Sequence, residues 1–248
     1  MTELADRLDR ARSAVAAIGA EALLLGLGAD LRYLTGYTAH ALERLTLLIL
    51  PADGAAVLVA PRLEAMAAAA SPAALEGLVS VVPWEETEDS YHLVASRLGG
   101  AGRGGSAGRV LVDTALPARH LLALQGVLGD RSFGLATEVM RQLRIIKTSD
   151  EINLLRRAAH AADRVVARIA AGPLLGRTEA DVSREVRALL IEEGHEEASF
   201  AIVASGPNGA SPHHDAGERR IAQERLGQPR AAGPARRGQV RPAGSRGL

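Results

Sequence analysis

Arg44-Leu45-Thr46-Leu47-Leu48-Ile49-Leu50-Pro51-Ala52-Asp53-Gly54-Ala55-Ala56-Val57-Leu58-Val59-Ala60 sets two apolar, β-branched-rich runs on either side of a four-residue break. Proline fixes φ and glycine tolerates positive φ, so Pro51-Ala52-Asp53-Gly54 reads as a turn and the flanking runs as a hairpin. An antiparallel pair disfavours a purely parallel doubly wound sheet.

Working outward, Leu4, Leu8, Ala11, Val15 and Ile18 recur at steps of three and four and predict an opening helix, with a buried strand at 21–25. Gly26-Leu27-Gly28 lacks the third glycine of a dinucleotide fingerprint and reads as a strand-to-loop turn. Further strands are expected at 78–83, 109–113 and 132–135, and helices at 61–70, 89–98 and 116–128. The order is mixed α/β (α+β). Residues 99–108, rich in glycine, read as a flexible loop.

Past residue 140 the pattern changes to long helices. Thr148 with Glu151 is a capping box, and Ile152, Leu155, Ala159, Ala162, Val166 and Ile169 form a stripe that predicts a helix to about Ala171. Thr178 and Asp181 start a second helix with Val182, Val186, Leu189 and Leu190 on one face and Gly194 as its stop. A strand is expected at 198–204, and a domain boundary near residue 137.

Composition bounds the chemistry. The 248 residues carry 29 basic and 29 acidic side chains, no cysteine, 47% apolar and 2% aromatic residues. Absent cysteine excludes disulfides, thiolate zinc sites and a cysteine nucleophile, and is compatible with a reducing compartment. Six aromatics leave little for stacking platforms, so nucleic-acid binding is not expected. Lys147 is the only lysine, and it follows Ile146 where a Walker loop needs glycine, which excludes that ATP-binding motif. No apolar run approaches the roughly 18 residues of a membrane span, and the N-terminus lacks a signal-peptide pattern, so a cytoplasmic protein is expected. The zero net charge sums unlike parts: residues 222–248 hold six Arg and one Glu with five Gly and three Pro, and are expected to be disordered.

Several motifs carry chemistry in other settings. Gly104-Gly105-Ser106-Ala107-Gly108 has nucleophile-elbow spacing but lacks the strand before and helix after that the elbow needs. His195-Glu196 is not followed by the second histidine of a metalloprotease helix. Trp84-Glu85-Glu86-Thr87-Glu88-Asp89 reads as an acidic helix start, which the macrodipole favours. His213-His214-Asp215 is compatible with a surface pair or a metal site, although adjacent side chains on extended backbone face opposite ways.

Four segments coincide with one family pattern. Tyr33-Leu34-Thr35-Gly36-Tyr37 after a strand resembles the N-terminal-domain signature of the creatinase/prolidase group. Arg144-Ile145-Ile146-Lys147-Thr148-Ser149-Asp150-Glu151-Ile152 resembles the opening of the catalytic domain in Xaa-Pro aminopeptidases and dipeptidases. Gly176-Arg177-Thr178-Glu179, then Glu193-Gly194-His195, is similar to the helix start and stop that follow. Phe200-Ala201-Ile202-Val203-Ala204-Ser205-Gly206-Pro207-Asn208 through Pro212-His213-His214 is similar to the strand and substrate-binding loop. On these residues the chain is identified as a member of the M24 metallopeptidases.

That resemblance implies a ribonuclease-H-like N-terminal domain over 1–137, the first part of a pita-bread catalytic domain over 138–221, and a tail over 222–248. It implies hydrolysis of the peptide bond preceding a proline at the second position, by a hydroxide on two divalent ions (manganese, cobalt or zinc). Two Asp, one His and two Glu hold those ions in the family. His213 maps onto a histidine outside the metal shell that binds or protonates the substrate; His214 matches a frequent neighbour of unassigned role. After Ile221 the family pattern stops, and the tail contains no Asp and no His. The chain is therefore expected to be truncated, by frameshift or as a gene fragment, to bind no metal and to be inactive alone. A creatinase-type C–N hydrolase is the rival enzyme reading, and a non-catalytic interaction module the other. Homo-oligomers are expected in intact relatives.

Overall fold

The computed structural model describes residues 2–40, 42–98 and 108–223, with the backbone of 239–241. Ser106 of the elbow-like motif, most of the glycine-rich loop and most of the arginine-rich tail lie outside the described residues. Contacts divide the chain into two units, 1–146 and 147–248.

The first unit runs α1 (Glu3–Ala17), β1 (Ala22–Leu25), α2 (Ala29–Thr35), β2 (Leu47–Pro51), β3 (Ala56–Pro61), α3 (Ala65–Ala69), α4 (Pro72–Leu75), β4 (Val79–Trp84), α5 (Ser90–Leu98), β5 (Arg109–Val112), α6 (Ala118–Val127), β6 (Ser132–Leu135) and α7 (Thr137–Ile145). The hairpin forms as its turn predicts: β2 pairs antiparallel with β3, Ile49 opposite Val57, and Gly54 takes φ +118°. The sheet order is β4-β3-β2-β1-β5-β6, with parallel pairs at β3/β4, β1/β5 and β5/β6.

Both faces of this sheet are covered, which is why its central strands read as continuous apolar runs. Leu23, Leu25, Leu48 and Leu50 pack with residues of α1, α2 and α7, while Leu24, Leu47, Ile49 and Val112 pack with residues of α5 and α6. The acidic run before α5 acts as a helix start: Asp89 Oδ1 accepts from Tyr91 N (2.9 Å) and His92 N (3.1 Å).

In the first unit the helix expected at 61–70 is shortened to α3, with α4 added after it, and the segment after β1 and the division between the units also differ from the sequence expectation. The turn expected after β1 leads into α2, a helix of seven residues, too short for a 3.6-residue period to declare itself; burial of Leu31, Tyr33 and Leu34 holds it. The division falls after α7 rather than near residue 137, because Val139, Met140 and Leu143 bury α7 in the first unit's core.

The second unit holds α8 (Ser149–Ala171), α9 (Glu179–Glu192), β7 (Ile202–Ala204) and β8 (Gln239–Arg241). Both capping boxes form, Thr148 with Glu151 and Thr178 with Asp181. Gly194 takes φ +95° past the end of α9. The stripe of α8 is a correction: Ala161, Ala162, Val165 and Ile169 are buried, whereas Ile152, Leu155 and Ala159 are exposed. Only the C-terminal half of that helix meets α9 and β7 in the core of this unit. The strand expected over 198–204 is confined to 202–204, and three residues of the tail expected to be disordered pair with it as β8. Lys147, exposed, is the first residue of the second unit.

Candidate functional site

Polar groups of the second unit converge at the N-terminus of α9. Glu179 is the first residue after the Thr178 cap and is fully buried. It stands in phase with Val182, Ser183 and Val186, so the period that buries those side chains buries the carboxylate too. The N–H groups of this first turn have no partner within the helix and need one elsewhere. Glu179 N donates to Arg219 O (3.0 Å) and Ala180 N to Gly217 O (2.9 Å), which lays the segment 217–221 along the helix start.

Five hydrogen-bond contacts fill the Glu179 carboxylate. Oε1 accepts from Ser205 N (2.6 Å), Ser205 Oγ (2.7 Å) and Asn208 Nδ2 (3.2 Å). Oε2 accepts from Asn208 Nδ2 (3.0 Å) and meets His214 Nε2 at 2.8 Å. Burial opposes ionisation, but the bonds from Ser205, His214 and Asn208 prevail and hold the carboxyl at about 2. One turn further along the same face of the helix, Ser183 Oγ donates to Ala201 O (2.8 Å) and fixes the chain entering β7.

His213 and His214 take different environments, His213 lying in the turn at 212–213. The ring of His214 turns inward to Glu179, and His213 is exposed, with no hydrogen bond among the described residues. Ser205 is not set up as a nucleophile, because its hydroxyl donates to a carboxylate rather than to an imidazole. The described residues do not fit a dinuclear metal centre. No group of three or more His, Asp and Glu able to hold an ion occurs among the described residues, and the Glu179 oxygens are occupied by donors.

Sequence reasoning singled out His213 and left His214 unassigned; it missed Glu179. The signal was present: a carboxylate in register with the apolar stripe of α9, where the helix start alone would have accepted an exposed acid.

The creatinase/prolidase N-terminal domain matches residues 7–146, and metallopeptidase family M24 matches 153–226. The chain belongs to the creatinase/prolidase family. It is 44% identical to "Probable dipeptidase PepE" of Mycobacterium tuberculosis over 219 residues, 88% of this chain and 56% of that protein. Among solved structures it is similar to dipeptidase PepE from Mycobacterium ulcerans (TM-score 0.79, 42% identity, 88% of this chain and 57% of that one). A prolidase from Thermococcus sibiricus matches with TM-score 0.79 at 30% identity, over 89% of this chain and 59% of that one. The chain thus spans a little over half the length of its creatinase/prolidase relatives.

Proposed function

We propose that this chain carries the N-terminal domain and the substrate-loop portion of an Xaa-Pro peptidase, whose reaction is hydrolysis of the peptide bond preceding proline. The observation that supports it is the loop 205–214, anchored on Glu179 and presenting His213 to solvent, within a chain similar to named dipeptidases and prolidases. His213 is read as the residue that hydrogen-bonds or protonates the peptide near the scissile group. A metal-bound hydroxide is the nucleophile that such peptidases require. The described residues supply no site for it, so the chain alone is read as catalytically silent, and no step of hydrolysis is assigned to it.

The test joins two measurements on the purified chain: titration with an Xaa-Pro dipeptide followed at the histidine resonances, and hydrolysis after loading with manganese or cobalt. Peptide-induced shifts at His213 without turnover are expected. Stoichiometric metal with turnover would overturn the silent reading, and no shift at His213 would overturn the substrate-loop reading.

A second reading, a non-catalytic interaction module that pairs with an intact relative, is favoured by the exposed Ile152, Leu154 and Leu155 on α8. Co-elution with a full-length relative in size-exclusion chromatography tests it. Location in the cytoplasm belongs to the same proposal; no helix among the described residues is long and apolar enough to cross a membrane.

A further inference from the structure

The Glu179 carboxylate does more than satisfy a helix start. Through Ser205 and Asn208 it grips the beginning of the segment 205–214, and through His214 it grips the end. A closed segment of this kind loses freedom that an open one retains, so one buried group restricts the residues between its two attachments. His213 is the residue immediately before the second attachment, and it is exposed.

We propose that Glu179 is the positioning residue of this loop, holding His214 by its Nε2–H and thereby setting where His213 is presented. A carboxylate held at about 2 is ionised at neutral pH and can only accept, so the ring nitrogen facing it must carry the hydrogen. Charge-assisted bonds to a buried carboxylate are among the stronger ones available to a loop. Nδ1 is then the only ring nitrogen of His214 left for any group outside the clamp. The proposal rests on the reading of 205–214 as the substrate loop only for its functional meaning; the clamp itself is independent of that reading.

The experiment is solution NMR on the full chain labelled with 15N-histidine, comparing wild type, Glu179→Gln, Ser183→Ala and Asn208→Ala. In wild type, the His214 Nε2–H should give a proton signal slow to exchange with water. In E179Q that exchange should accelerate at least about tenfold, because a neutral amide is a weaker acceptor and brings donors of its own into a cluster of donors. S183A removes a different bond from the same helix, Ser183 Oγ to Ala201 O, and should leave the signal in place. N208A loosens one attachment and should leave the His214 signal while backbone amides of 206–210 exchange faster.

If E179Q does not fold, the wild type and N208A still decide. Absence of a slow Nε2–H signal in wild type, or its loss in N208A, overturns the clamp; equal exchange in wild type and a folded E179Q does the same. Dipeptide titration separates the two readings. A slow signal with no peptide-induced shift at His213 supports the clamp and removes the substrate-loop assignment, whereas a shift at His213 that is lost in folded E179Q supports both.

Discussion

Glu179 couples a single proton to the stability of the second unit. Its carboxyl titrates near 4.5 as an ordinary side chain and at about 2 in the fold, so between those values the unfolded chain binds more protons. Stability from this group is therefore complete above the ordinary value and drains away as pH falls toward the folded one. A shift of that size corresponds to a contribution on the order of 3 kcal/mol. Urea unfolding of the second unit at pH 6 and pH 3 should show the midpoint falling at the lower pH, and E179A should reduce that dependence, leaving the part from Asp181, whose carboxyl is also held down by its bonds with Thr178. Asp113 in the first unit behaves in the opposite sense. Burial pushes its carboxyl up, partly offset by the bond its Oδ1 accepts from Ala115 N (2.8 Å), and nearby Asp30 pushes it further. Asp113→Asn keeps that acceptor and removes the charge, so the melting temperature at pH 7 should be unchanged or higher; a clear fall would show that the charge is needed.

At the scale of the element, the capping boxes of α8 and α9 were readable because a Thr and an acid three residues apart state their own geometry. Thr178→Ala should cost about 1 kcal/mol, read as a shift in the unfolding midpoint. What the sequence concealed was which face of each helix would be buried. Ile152 and Leu155 obey the same period as Ala162 and Ile169, but burial depends on a neighbour, and α9 with β7 covers only the second half of α8. Glu179 was ambiguous for the complementary reason: its register with the apolar stripe of α9 points inward while its place in a first turn suits an exposed acid, and partners 26 to 35 residues away decide that it is buried. The Tyr33–Tyr37 motif was noticed by resemblance, and its physical basis is visible only in three dimensions. Gly36 sits at φ +71°, ending α2, and a Cβ there would come within 2.7 Å of Pro72. Gly36→Ala combines a disfavoured backbone with a contact against a rigid ring and should destabilise the first unit by at least about 1 kcal/mol.

At the scale of the molecule, the two units differ in how well they are closed. The first has a six-stranded sheet with apolar clusters on both faces. Among the described residues, the second has one smaller cluster and an exposed apolar row on α8. Resistance to cleavage follows the depth of burial, so limited proteolysis should leave a fragment close to 1–146 while the second unit is degraded first. Equal lifetimes of the two would contradict this. The α/β character was legible because strands buried on both faces advertise themselves as runs such as Leu47–Leu50. The division at Ile146 was not, since α7 joins the first unit through Val139, Met140 and Leu143, a packing choice that local pattern does not encode.

Lys147, exposed and alone of its kind, opens the second unit. Amine chemistry therefore has two addresses in this chain, the α-amino group and the seam between its halves. A protease that cuts after lysine has a single substrate bond, and its products would match the two units to within one residue, each ready to be weighed apart from the other.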